Sequence, residues 1–335
     1  MNNPLCVSCL TSCTVILIRH RVRRRTRVTA PALFYVNPSM NTGKDTIGMI
    51  GVGLMGHGIA SNIVKHGYPL VLLDHPGNQP VDPLIAAGAA KVASPAQVAR
   101  QANVVILCVT GTPQVEDVLF SPDGLLQGLR PGTIVIDCST AIPSSTERIA
   151  QAVTEAGGLF LDAPMTRTPK EAAEGRLNLL VGGDPALFQR CLPLLQCYAE
   201  NITHVGPIGA GHRMKLIHNY VSLGCAAVIA EAAACAQRAG IESSVLLEIL
   251  SKGGGGGVAL ERLRPFIESG DDSGLRFSLS NAHKDLGYYT TMAEESGAPH
   301  GAADGIQLLF KQAAHSTPPQ TTLPHLVSLL AGDKN

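Results

Sequence analysis

The sequence predicts an α/β protein: an N-terminal Rossmann-type domain with a doubly wound parallel sheet, followed by an all-α C-terminal domain. Three features point there. Between Thr46 and about Val205, short apolar runs ("TIGMIG", "PLVLLD", "ANVVILCV", "GTIVIDCS", "GLFLDAP", "LNLLVGG") alternate with helix-like segments. Strands apolar throughout their length belong to parallel sheets covered on both faces. The first run leads directly into a glycine-rich turn that opens a helix, and after "ENITHVGPIGAG" the strand signal gives way to alanine-rich helical sequence.

The chain has 335 residues, enough for two domains. With 45% apolar and 16% charged residues and no tryptophan, it has the composition of a folded globular protein. No uninterrupted apolar run reaches the ~18 residues that span a bilayer, so no membrane partner is expected. Formal net charge is zero, which gives no footing for a nucleic-acid partner.

The charge is unevenly placed. Arg19, Arg21, Arg23, Arg24, Arg25 and Arg27 cluster before the first acidic residue, Asp45, and beyond residue 39 the body holds 20 basic against 26 acidic residues. Residues 1–45 are therefore expected to be a basic leader outside the fold. Two readings stand: a transit peptide, which is typically Arg-rich and acid-poor, or a segment upstream of a start at Met40. Cys6, Cys9 and Cys13 lie in this leader, and the Cys6–Cys9 pair has no partner set at zinc-binding spacing. The other six cysteines fall in apolar runs and read as buried thiols of a reducing, cytoplasmic setting. No metal site is expected.

In "IGMIGVGLMGHGIASNI", Gly51, Gly53 and Gly56 have the G-x-G-x-x-G spacing. Glycine there permits a tight turn, close backbone approach to a pyrophosphate and close helix-on-strand packing. The amides around Leu54 and Met55, at the helix start, would face the phosphates. The second strand-like run ends in Asp74, 18 residues after Gly56. A carboxylate there accepts from the adenosine ribose hydroxyls and repels a 2′-phosphate, which favours NAD over NADP. The alternative is that Asp74 only caps the turn before "HPGN". The expected boundaries are thus 46–207 for an NAD-binding domain and 208–330 for an all-helical domain.

A long helix is predicted from about His212 to Arg238, on the order of 40 Å at 1.5 Å per residue, long enough to bridge two domains or two subunits. It places Lys215, Asn219 and Ser222 at i, i+4 and i+7 on one face. A lysine in a cleft has a lowered pKa and can exchange a proton with a substrate oxygen. A solvated helix face gives the same spacing.

The ordered set "GMIGVGLMGHG", "DCST", "DAPMTRTPKEAAEGRLNLLVGG", "GAGHRMKLIHN" and "FSLSNAHKDLGYY", across roughly residues 46–290, resembles the β-hydroxyacid dehydrogenase family. The resemblance implies Lys215 as catalytic acid/base and Asn219 as the residue that orients substrate. It places Thr140 at the nicotinamide end, Val109 along the cofactor groove and Lys284 over cofactor and substrate, with Asp285 structural. It also implies that the helical domain, 208–330, is a substrate and dimerisation domain, and that the protein is a homodimer or homotetramer. The "KGGGGG" run at 252–257 is less usual for the family and is expected to form a loop near the site.

Most family members carry a Ser-Gly-Gly turn where this chain has Thr166, Arg167 and Thr168. Arg167 brings a planar fork of donors suited to an oxyanion, and the two threonines add hydroxyls. The alternative is that Arg167 faces solvent or pairs with Glu171 at i+4. The loop, and the run from Lys215 to Ser222, are similar to the 3-sulfolactaldehyde reductase branch. That implies an NADH-linked reduction of 3-sulfolactaldehyde to 2,3-dihydroxypropane-1-sulfonate, a small anionic substrate pair. His218 departs from the asparagine usual in the family and either donates to the anion or packs beside the helix. Tartronate semialdehyde and 3-hydroxyisobutyrate chemistry are the enzymatic rivals, and a non-catalytic NAD-binding sensor the rival of another class.

Overall fold

The computed structural model describes residues 43–332. The basic leader, with its six arginines, Cys6, Cys9 and Cys13, lies outside them apart from residues 43–45.

The first part of the described chain runs β1 (Ile47–Ile50), α1 (Leu54–Lys65), β2 (Leu70–Leu73), α2 (Asp82–Ala86), β3 (Ala90–Val92), α3 (Pro95–Gln101), β4 (Val104–Leu107), α4 (Thr112–Phe120), β5 (Ile134–Asp137), α5 (Pro143–Glu155) and β6 (Leu159–Asp162). It continues through β7 (Met165–Thr166), α6 (Pro169–Glu174), β8 (Leu177–Gly182), α7 (Pro185–Leu195) and β9 (Ala199–Gly206). The helices α8 (Ala210–Arg238), α9 (Ser243–Lys252), α10 (Val258–Ser269), α11 (Leu279–Ser296), α12 (Gly301–Ser316) and α13 (Leu326–Ala331) complete it.

The strands form one sheet in the order β3-β2-β1-β4-β5-β6-β8-β7, with β9 paired to β8. The first six are parallel, with β1 between β2 and β4 in the register Ile47 to Leu70 and Ile47 to Val104. Every residue of β1, β2, β4 and β5 is buried, because α-helices cover both faces. This is the doubly wound pattern expected from sequence.

The sheet departs from the all-parallel expectation at its far end, where β8 runs antiparallel to β6 and to β7. Residues 163–176 are spent on β7 and on α6, which packs against α1, and do not form a covering crossover of the kind a parallel return requires. Strand β9 has no apolar run: Glu200, Asn201, Thr203 and His204 sit on an edge strand whose exposed positions tolerate polar residues.

Helix α8 belongs to both halves of the fold. Its N-terminal part packs on β6, β8 and β9. Its later residues Leu223, Ala226, Ala227 and Ala230 meet Leu260, Leu263, Leu279, Leu286 and Phe310 in the core of the helical region. In length and composition α8 is apolar enough to cross a membrane, but 56% of the qualifying window is buried within the protein. The six described cysteines divide. Cys138, Cys191 and Cys197 are buried and Cys108 half-buried, whereas Cys225 and Cys235 are exposed, contrary to expectation; both lie on the side of α8 whose apolar stripe the described residues leave exposed. The glycine run joins α9 to α10, and its near contacts are with Ile249, Leu250 and Ser251 of α9 and within the run itself.

Candidate active site

The cofactor side of the site starts at the turn between β1 and α1. Gly51 has φ +92°, and a Cβ there would lie 2.3 Å from the carbonyl oxygen of Cys108. A Cβ on Gly56 would lie 1.9 Å from the Gly51 carbonyl oxygen, so helix and strand approach as closely as glycine allows. A Cβ on Gly53 would meet nothing within 4 Å. Gly53 is also the N-cap of α1 and supplies no side-chain cap. The first-turn amides around Leu54 and Met55 are therefore available to an anion, with open space in front of them. These residues fit the pyrophosphate of a dinucleotide.

Asn78, which no sequence pattern singles out, holds this turn from behind: Oδ1 accepts from the Val52 N–H (3.2 Å) and Nδ2 donates to the Leu73 carbonyl (2.9 Å). Asp74 follows β2 with its carboxylate exposed and 3.2 Å from Lys91 Nζ. That pair leads to a prediction. Asp74→Ser removes the carboxylate that repels a 2′-phosphate and frees a lysine to meet one. The ratio of kcat/KM for NADP over NAD should rise by about 10-fold or more, a change of about 1.4 kcal/mol in relative transition-state binding.

The opposite wall comes from the ends of β4 and β5. Val109, half-buried, donates its N–H to Ser139 Oγ (3.1 Å), and Ser139 N–H donates to Asp137 Oδ1 (2.9 Å). Thr140 follows, half-buried. Helix α11 reaches onto this wall: Lys284 Nζ donates to the Thr110 carbonyl, and Tyr288 Oη accepts from the Thr112 N–H at 3.1 Å. Gly111 makes room for that tyrosine, since a Cβ there would lie 2.6 Å from its hydroxyl. Lys284 thus lies against the loop beside the groove.

On α8, Lys215 is half-buried, and among the described residues no hydrogen bond or ion pair is formed by its ammonium. Loss of hydration lowers its pKa to about 8; the Asp285 carboxylate acts the other way, and the Lys284 charge adds to the lowering. One turn on, Asn219 is buried and its amide is pinned at both ends. Nδ2 donates to Asp285 Oδ2 (2.6 Å), and Oδ1 accepts from His218 Nδ1 (3.1 Å). One N–H of the amide remains for a substrate oxygen. Asp285 also lies 3.0 Å from Lys284 Nζ through its other oxygen, so one buried carboxylate organises Asn219 and Lys284 together. Its bond to Asn219 is a role that sequence did not reveal. His218 is held below the usual histidine pKa, first by desolvation and then by the charges of Lys215 and Arg262, against the raising effect of Asn219. Ser222 is half-buried at the next position of the same face.

The loop after β6 is placed differently from what its residue types led one to expect. Thr166 Oγ1 accepts from Asn178 Nδ2 (3.0 Å). Thr168 is the N-cap of α6, where its N–H donates to the Glu171 carboxylate at 3.0 Å. Arg167 is, among the described residues, the one non-glycine residue with positive φ, at +82°. It retains a left-handed turn that glycine adopts freely, at a cost of roughly 1–2 kcal/mol. Its guanidinium donates to Glu200 Oε2 and to the Arg176 carbonyl. One arm of the fork, Nη1, is therefore engaged at the β8–β9 edge, and the ion pair it forms is with Glu200 and not with Glu171.

A family model described as the NAD binding domain of 6-phosphogluconate dehydrogenase matches residues 46–206. A second, described as the NAD-binding domain of NADP-dependent 3-hydroxyisobutyrate dehydrogenase, matches residues 209–330. The chain is 37% identical over 277 residues to an NAD-dependent L-serine dehydrogenase of Pseudomonas aeruginosa, covering 79% of this chain and 92% of that one. It is 33% identical over 255 residues to a 2-(hydroxymethyl)glutarate dehydrogenase of Eubacterium barkeri, covering 76% and 84%. A solved structure of 3-hydroxyisobutyrate dehydrogenase from Mycobacterium tuberculosis with L-serine superposes with a TM-score of 0.75 at 26% identity, covering 86% of this chain and 99% of that one.

Proposed function

Because the chain belongs to the β-hydroxyacid dehydrogenase family, and is an NAD-dependent oxidoreductase acting on a CH–OH group, we propose that it interconverts a short 3-hydroxy acid and its semialdehyde. The observation that supports this most directly is Lys215, half-buried, its pKa lowered to about 8 by desolvation, one helical turn from a pinned Asn219. NAD, held by the Gly51–Gly56 turn and Asp74, would supply or accept the hydride when bound. Lys215 as ammonium gives a proton to the forming alkoxide in reduction, and as free amine takes the hydroxyl proton in oxidation. Asn219 donates its remaining N–H to the same oxygen and keeps it in line with Lys215.

For the substrate's anionic end we propose a carboxylate, with L-serine in the class. The named relatives act on hydroxy acids of this kind. The finer expectation, 3-sulfolactaldehyde reduction, depends on Arg167 leaving Glu200 and Arg176 for the cleft. The ion pair gives no advantage to that move. A panel of L-serine, 3-hydroxyisobutyrate, 2-(hydroxymethyl)glutarate, glycerate and 2,3-dihydroxypropane-1-sulfonate, followed by NADH absorbance, tests the assignment. A carboxylate should have the highest kcat/KM, and Arg167→Gly should leave it within about threefold. If the sulfonate leads, and loses its advantage in Arg167→Gly, the sulfonate reading replaces ours.

We further propose that the protein self-associates through α8. Met214, Ile217, Val221 and Val228 are 39%, 42%, 57% and 62% exposed. At about 100° per residue they fall on one side of the helix, and such a stripe is an interface feature. Val221→Glu with Val228→Glu should convert the native species to a monomer by light scattering; unchanged mass would remove this face from the interface.

A further inference from the structure

The start of the catalytic helix is held by a buried polar cluster that the proton chemistry does not use. Asp162, at the end of β6, is fully buried; Oδ1 accepts from the Gly209 N–H and Oδ2 from the His212 N–H, both at 2.8 Å. The carboxylate thereby satisfies amides that the start of α8 leaves open. The His212 ring, also fully buried, extends the anchor sideways. Its Nε2 lies 3.1 Å from the Ser139 carbonyl and its Nδ1 2.8 Å from Thr146 Oγ1. A carbonyl only accepts, so Nε2 carries a hydrogen.

The location matters more than the bonds themselves. Ser139 directly precedes Thr140, and its hydroxyl receives the Val109 N–H. One ring therefore joins α8 to the two segments that form the wall opposite the glycine turn. Lys215 stands three residues after His212, on the same side of the helix. The carboxylates of Asp137 and Asp162 flank the ring at 3.9 Å each. Burying such a group costs free energy that an apolar side chain would not, and what it fixes here is orientation.

We propose that His212 is a positioning residue for hydride transfer: its Nε2 hydrogen bond to Ser139 sets the spacing between Lys215 and the Ser139–Thr140 wall of the cofactor groove. The proposal rests on the acid–base reading of Lys215. A displacement of about 1 Å at a reacting group can cost about 100-fold in rate.

Glutamine and methionine separate donor from bulk, because the two side chains are similar in length and only glutamine can place an N–H near the Nε2 position. His212→Gln and His212→Met would be compared with wild type for kcat, KM, NADH Kd by fluorescence titration, and Tm. H212M should lose kcat by about 10- to 100-fold with NADH Kd within twofold, and H212Q should stay within about threefold of wild-type kcat. Thr146→Val, which removes the Nδ1 partner together with that hydroxyl's bond to the Ile142 carbonyl on its own helix, should also stay within threefold. Equal kcat in H212Q and H212M, a parallel loss of NADH affinity, or a Thr146→Val loss as large as that expected for H212M would overturn the proposal. T146V and H212Q decide the matter if H212M does not fold. Failure of the acid–base reading shows separately, as a Lys215→Met variant that keeps its activity.

Discussion

Lys215→Met is expected to lower kcat by about 10²–10⁴ in both directions while leaving NADH affinity nearly unchanged, because the side chain serves the proton and not the dinucleotide. The pH profile follows from the pKa of about 8. In oxidation the free amine is the active form, so kcat/KM rises as pH passes through about 8 and then levels off. In reduction the ammonium is active, so kcat/KM falls across the same interval. The methionine variant should lose this limb of both profiles. Stability should move the other way. The lysine pKa falls from 10.5 to about 8 on folding, so the fold disfavours the charged form. That cost is fully present below about pH 8 and fades as pH rises toward 10.5. The shift corresponds to about 3 kcal/mol. With the lysine only half-buried and so partly screened, the Lys215→Met variant is expected to gain on the order of 1–2 kcal/mol of stability at pH 7. Urea unfolding at pH 7 and pH 10 checks the sign, since the gain should shrink at the higher pH.

The glycine turn offers a second large effect, because two of its glycines are needed for different reasons. Gly53→Ala adds a methyl where the protein has nothing within 4 Å. The fold should keep its stability within about 0.5 kcal/mol, while NAD affinity falls by about 10-fold or more as the methyl occupies the space a pyrophosphate needs. Gly56→Ala adds a methyl 1.9 Å from the Gly51 carbonyl oxygen and 2.9 Å from Met49 Cε. Backbone cannot yield cheaply, so α1 must lift from β1 at a cost of about 2–3 kcal/mol. Thermal unfolding and NAD titration on the same two proteins separate the cases. If Gly53→Ala binds NAD as wild type does, the turn is not the pyrophosphate site.

Much of the fold was legible because it is written in local periodicity. The buried strands β1, β2, β4 and β5 are continuous apolar runs, the glycine spacing marks a turn whose φ at Gly51 only glycine adopts freely, and the Lys215–Asn219 spacing is one turn of helix. Strand β9 escaped notice because an edge strand needs no apolar run, and β7 because a two-residue strand has no period. The function of Arg167 was the least legible. A guanidinium reaches several ångströms from its backbone, so a loop position fixes where the side chain starts and not where it ends; here it ends on Glu200, 33 residues away in sequence.

The dinucleotide turn, the apolar strands of the core and the helix face that brings a lysine and an amide together can be read from the chain alone, since each depends on residues within a few positions of one another. Which groups hold that face in place emerges from the packed fold. Asn219 meets Asp285 across 66 residues, Tyr288 meets the Thr112 amide across 176, and His212 meets Ser139 across 73. Such contacts form when separate elements pack, and packing depends on the combined shape of distant surfaces that no short stretch of sequence contains.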